Sequence, residues 1–221
     1  MLISRWCQNF NLKLFNFHNI FWSDYFYSDA TCYIKKMWVF FTGYGQSGKG
    51  VAADWLVNNH GYYKLSFADG VRDKAVEENR YFPSLNGTYT EVIDRLGYNE
   101  AKQYQCIRDY LVEIGEGSRQ KYGLFIWIDM LDEKVKAKME NGNKDLLLTV
   151  DDCRYTNEVL YGKKRGNCLL IRIKRKNCKA KHETEKKTIK ELTPDYTIEN
   201  NGTIEEFLTK LESIIFCTNQ K

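Results

Sequence analysis

The segment Gly43-Tyr44-Gly45-Gln46-Ser47-Gly48-Lys49 narrows most sharply what this chain can fold into. It follows the apolar run MWVFFT, Met37 to Thr42, and precedes a stretch in which Val51, Ala52, Trp55 and Leu56 recur at helical spacing. A strand, a glycine-rich turn and a helix in that order, with the spacing G-x-x-x-x-G-K, make a loop whose backbone N–H groups turn inward around a phosphate. The helix N-terminus adds the positive end of its dipole to the same anion. The expected nucleotide-binding set is Gly43, Gly45, Gln46, Ser47, Gly48, Lys49, Gly50 and Val51, with Lys49 reaching the β- and γ-phosphates as a mobile charge. One position departs from the pattern. Where Ser or Thr ordinarily offers magnesium a hydroxyl, this chain has Gly50. Mg²⁺ keeps several waters and is held by substrate phosphates plus a carboxylate or two. Its ligands are therefore expected at Asp151 and Asp152, just past the apolar run LLLTV, at the carboxyl end of a sheet.

From Met37 onward, short apolar runs alternate with amphipathic stretches. The runs are MWVFFT, YYKLSF, LLLTV, CLLIRI and DYTIEN. Helices are expected from about Gly48 to His60, over ADGVRDKAVEENR to about Arg80, over AKQYQCIRDYLVEIGEGSRQKYG, over FIWIDMLDEKVKAKMEN and from Ile204 to Phe216. Residues 81–90 read as a polar loop, Asn141-Gly142-Asn143 as a turn, and KRKNCKAKHETEKK as a basic, loop-like segment. This alternation predicts a three-layer α/β sandwich around a mostly parallel sheet. At 221 residues, 43% hydrophobic and 28% charged, the chain suits one sizeable core with a small lid. A net charge of +4 does not by itself point to nucleic acid. The seven cysteines are scattered without a C-x-x-C pair, so neither a disulfide framework nor a zinc site is indicated, and a reducing compartment is expected. No run approaches the length of a membrane span. Residues 1–36 are rich in aromatics yet sustain neither period. They are expected to be a peripheral or spurious extension before a domain of residues 37–221.

With the loop in place, ordered blocks along the rest of the chain resemble the deoxynucleoside monophosphate kinases of DNA phages and large DNA viruses. These are nucleoside-monophosphate-kinase-like P-loop proteins. The blocks are SFAD with the basic Arg72 and Lys74 after it, YLVEIGEGSRQKYGLFIWI, DCRYTNE, HETE and DYTIENNGTIEEF. The resemblance implies transfer of the ATP γ-phosphoryl group to a deoxynucleoside 5′-monophosphate, with ATP and Mg²⁺ as cofactors. Lys49, Arg154 and Arg119 would be the catalytic cations, since a planar guanidinium grips two phosphate oxygens at once. Ser66, Asp69, Arg72, Arg119, Asp152, Arg154, Asn157, Glu158, His182 and Glu185 would contact or order the substrate, and residues 174–192 would form a lid. It also implies small-molecule partners only, without nucleic acid or membrane, a cytoplasmic location, and leaves a homodimer open. The animal-type phosphomevalonate kinases share the loop and the IEN-x-G ending and stay as an alternative. So does a nucleotide-binding protein without turnover, suggested by Gly50. A nucleic-acid binder built on the basic stretch Lys163 to Lys190 lacks the interleaved aromatics that single-strand binders stack on.

Overall fold

All six residues of strand β1 (Met37–Thr42) are buried, and they divide by alternation. Met37, Val39 and Phe41 enter one apolar cluster, with Ala52, Ala53, Leu56 and Leu211. Trp38 and Phe40 enter another, with Ala75, Tyr110, Trp127 and Val159. A strand with apolar side chains on both pleat faces must be covered on both. The computed structural model describes residues 37–140, 146–180 and 183–218, all within one unit, Lys35–Lys221.

After β1 come α1 (Lys49–His60), β2 (Tyr63–Leu65) and α2 (Ala68–Glu78). A hairpin of β3 (Tyr81–Phe82) and β4 (Gly87–Thr88) follows, then α3 (Tyr89–Leu96), α4 (Tyr98–Ala101), α5 (Gln105–Tyr122) and α6 (Ile126–Glu140). The last part of the chain holds β5 (Leu148–Val150), α7 (Thr156–Arg165), β6 (Asn167–Lys174), α8 (Glu183–Glu191), β7 (Tyr196–Glu199) and α9 (Ile204–Thr218). The main sheet has the order β2-β5-β1-β6-β7, every neighbouring pair parallel. Phe40 of β1 lies level with Val150 of β5 and Leu170 of β6. α1 and α9 cover one face, while α2, α5, α6 and α7 cover the other. This is the expected α/β sandwich. The order reverses at β1, which opens a crevice beyond its carboxyl end.

Three local expectations need correction. Residues 81–90 are not simply a polar loop: β3 and β4 pair antiparallel around a 3₁₀ turn at Pro83–Leu85. The helix expected from Ala101 to Gly123 is two, because Gln103 and Tyr104 donate to Glu100 and Ala101 and make a tight turn. The basic segment is not all loop, since α8 lies in it. Its buried face, Glu185 and Ile189, is spaced i,i+4 and is masked in sequence by the lysines around it. The turn at Asn141-Gly142-Asn143 lies outside the described residues. Among the described residues, no helix is long and apolar enough to cross a membrane.

Candidate active site

The loop after β1 is shaped by backbone that only small residues tolerate. Gly43 has φ 138° and Gly48 φ 110°, both in the region that favours glycine. A Cβ on Gly43 would come within 2.3 Å of the Ile173 carbonyl oxygen, and one on Gly48 within 2.5 Å of Asn200 Nδ2. Gln46 also has positive φ, at 64°. α1 starts directly from Gly48 without a side-chain cap and without an acidic residue in its first turn. Its free N–H groups and dipole thus stay available to an anion. Lys49 folds back so that Nζ donates to the carbonyls of Gly43 at 2.8 Å and Tyr44 at 2.7 Å. Burial, and next the neighbouring Arg154 guanidinium, lower its pKa to about 8. The Ser47 hydroxyl is buried with no hydrogen-bond partner among the described residues. A glycine cradle, an orphaned hydroxyl and a lysine fit the polyphosphate of ATP. Gly45 in the loop and Gly50 in the first turn of α1 are half-buried, whereas Val51 turns its side chain to solvent.

Asp151 and Asp152 follow β5, but they face different partners. Asp151 Oδ1 accepts from Ser66 Oγ at 2.6 Å, and Oδ2 lies 3.0 Å from Lys64 Nζ. Asp152 spends both oxygens on the start of α2, accepting the Phe67 amide at 2.9 Å and the Ala68 amide at 2.8 Å. Burial and the charge of Asp151 push its carboxyl above the usual carboxylate value. In this structure Asp152 thus caps the start of α2. Asp151 does fit Mg²⁺ chemistry, because a Cβ on Gly50 would sit 3.8 Å from its Oδ2. A carboxylate thus faces the space where the hydroxyl is missing. Among the described residues, no three His, Cys, Asp or Glu side chains gather into a metal cage.

Arg154, Arg119, Asn157 and Glu158 meet beyond β5. Glu158 is buried, and its Oε2 accepts the amides of Arg154 at 2.7 Å and Tyr155 at 3.0 Å. Its Oε1 holds Arg119 Nη2 at 3.3 Å. Burial lifts the Glu158 carboxyl to about 7 although both amides pull it down. Arg119 also stacks on Tyr155, 3.9 Å from the ring centroid. Asn157 Nδ2 donates to the Leu124 carbonyl at 2.9 Å, tying α7 to the turn before α6. Arg154 is half-exposed, 3.8 Å from Glu185 of α8. Arg119, Arg154, Tyr155 and Asn157 share the wall of a cleft of 290 Å³. His182 lies outside the described residues.

Ser66, Asp69 and Arg72 line a second, open cleft of 610 Å³ that has Asp151 at its rim. Asp69 Oδ2 accepts the Ser66 amide at 2.8 Å, and its Oδ1 pairs with Arg72. Arg72 also lies over the ring of Tyr98, 5.2 Å from its centroid. A third cleft, of 430 Å³, opens on the other side of the loop between Gly43, Tyr44 and Ser47 and the basic end of β6, including Lys174 and Arg175.

Three residues with a part in this arrangement carried no assignment from sequence. Asn200, just past β7, donates from Nδ2 to the Ser47 carbonyl at 2.9 Å and braces the loop. Arg172 of β6 donates to the carbonyls of Ile189 at 2.7 Å and Leu192 at 2.6 Å, anchoring α8. Lys64 sits on Asp151. Each is a polar residue within or just after a strand, a signal readable only once the strands and their order are known.

No protein-family model matches the chain, and no curated protein does. Among solved structures it is similar to an unliganded sugar kinase from Janibacter sp. HTCC2649, at 13% identity and TM-score 0.43, over 80% of this chain and 92% of that one. It is similar to the shikimate kinase of Aquifex aeolicus at 12% and 0.39, over 83% and 98%. The protein TT1252 from Thermus thermophilus is similar at 14% and 0.41, over 81% and 96%. At these values the chain's own topology and site carry the reading.

Proposed function

We propose that this chain is an ATP-dependent phosphotransferase whose acceptor is a deoxynucleoside 5′-monophosphate. The observation that carries the reading is a phosphate loop flanked by two separate clefts. The carbonyls that hold Lys49 Nζ belong to residues lining the 430 Å³ cleft. Asp151, which faces Gly50 next to Lys49, lies at the rim of the 610 Å³ cleft. A transferase for two anionic substrates needs such an arrangement: a donor site and an acceptor site with a shared cation between them.

ATP supplies the transferable γ-phosphoryl group, and Mg²⁺ when bound offsets phosphate charge. Phosphoryl transfer asks little covalent chemistry of the protein, so the chain contributes position and charge. The amides of the loop and the α1 N-terminus hold the donor phosphates, and Lys49 exchanges its two carbonyl partners for phosphate oxygens. Arg72, set by Asp69 and Tyr98, offers a cation to the acceptor phosphate. Arg154 faces the transferring group, and Glu158 holds its backbone while orienting Arg119. The deoxynucleotide as acceptor rests on the sequence blocks that resemble the viral kinases.

A coupled assay over the four deoxynucleoside monophosphates, with mevalonate 5-phosphate as a further acceptor, tests this reading. Lys49→Ala and Arg154→Ala are each expected to slow turnover by at least about tenfold, as loss of a transition-state cation does. Full activity in both variants would refute the site. Turnover with mevalonate 5-phosphate alone would refute the acceptor.

A further inference from the structure

Lys64 lies at the one place where the phosphate loop departs from its usual pattern. From β2 its ammonium bridges Asp54 Oδ1 of α1 at 2.9 Å and Asp151 Oδ2 at 3.0 Å. Gly50 and Asp54 are four residues apart on α1 and so share a face. α1 therefore turns bare backbone toward Asp151 and a carboxylate toward Lys64. The oxygen that Lys64 holds, Asp151 Oδ2, is the same one that faces Gly50, where a Cβ would sit 3.8 Å away. Asp151 Oδ1 is tied to Ser66 Oγ at 2.6 Å, which fixes the direction of the carboxylate. The pair is half-buried, with side-chain exposures of 31% for Lys64 and 19% for Asp151. Leaving either charge alone there is costly, so whatever takes Asp151 must bring positive charge with it.

We infer that Lys64 is a positioning residue: its ammonium neutralises Asp151 until a divalent cation arrives with the nucleotide, and then retires onto Asp54. This inference rests on the phosphotransfer reading for the source of the cation. Asp54 gives the displaced ammonium a second seat, so Lys64 is never stranded without a partner. Lys64 also lines the 610 Å³ cleft with Ser66 and Arg72. An ammonium freed from Asp151 has N–H bonds to offer an acceptor anion there. Metal arrival and acceptor capture are thereby coupled through one side chain.

Mn²⁺ is the probe, its affinity read by electron paramagnetic resonance on the full chain with a non-hydrolysable ATP analogue bound. Lys64→Met keeps the packing of the aliphatic stem and removes the competing charge. Mn²⁺ affinity is expected to rise about three- to fivefold, the size of a half-exposed ion pair. Asp54→Asn removes the second seat and concentrates the ammonium on Asp151, so affinity is expected to fall by about twofold. In an Asp151→Asn background the effect of Lys64→Met should vanish, since the two act through one contact. Opposite shifts that disappear with Asp151 support the exchange. Shifts of one sign, no shift, or a Lys64→Met effect that survives in Asp151→Asn would overturn it. Lys64→Gln takes the place of Lys64→Met if circular dichroism shows the latter misfolded. If the analogue fails to bind the unaltered protein, the phosphotransfer reading falls, and Mn²⁺ titration of the protein alone decides Lys64 by the same signs.

Discussion

Lys49 couples this site to pH. Its ammonium is buried against two carbonyls and stands beside Arg154, and together burial and that like charge bring its pKa down to about 8. A base with a lowered pKa is charged below that value and neutral above it, so the cation proposed to meet phosphate is lost as pH rises through about 8. ATP affinity of the free protein is expected to fall over the same interval. Arg154→Ala removes the second cause and should move the midpoint upward. Calorimetric titration between about pH 7 and 10 reads both effects, and an affinity flat across that range would contradict them. The lysine itself was legible in sequence because the G-x-x-x-x-G-K spacing is local. Its lowered pKa was not, since that depends on burial and on a guanidinium more than a hundred positions away. Glu158 shows the same limit. Its place at the start of α7 is readable, whereas its grip on Arg119, 39 positions earlier, is not.

α7 sets the direction of Arg154 and Glu158, and it does so by lying very close to the sheet. A Cβ on its Gly162 would fall 2.6 Å from Cys168 Sγ and 2.8 Å from Phe40 Cε2. In an isolated helix Gly→Ala stabilises by about 1 kcal/mol. Here Gly162→Ala is expected to destabilise by about 1–3 kcal/mol, because overpacking against β1 and β6 outweighs propensity. Urea unfolding measures the sign directly, and a variant more stable than the parent would mean that α7 is free to move outward. Sequence periodicity located α1, α6 and α9 because their apolar residues repeat on one face. It failed for α8, where lysines surround a buried face of Glu185 and Ile189, and for the β3–β4 hairpin, whose strands are two residues each. Elements that short leave no period to read.

At the scale of the whole molecule, the sheet order β2-β5-β1-β6-β7 puts the phosphate loop at the reversal point and Asp151 beside it. β1 opens with Met37, fully buried and level with Asn167 of β6. Tolerance to truncation follows from the burial and hydrogen bonding of the backbone removed and retained. A chain starting at Met37 is therefore expected to keep cooperative melting and the ATP affinity of the full chain, read by circular dichroism and calorimetry. Loss of nucleotide binding would tie the site to residues 1–36.

By itself the amino-acid sequence determined that a glycine-rich loop of G-x-x-x-x-G-K spacing follows a doubly buried strand, and that carboxylates and an arginine follow another. Those features depend on near neighbours: backbone sterics at glycine, alternation along a strand, the dipole at a helix start. Only the tertiary structure decided which of the charged groups share space. It separated Asp151 from Asp152, giving the first to Lys64 and Ser66 and the second to the amides of α2. It also brought Asn200 to Ser47 across 153 positions. Partner choice at that distance is set by the order of strands in the sheet and by the cost of burying an unpaired charge, and neither is written in any local stretch of the chain.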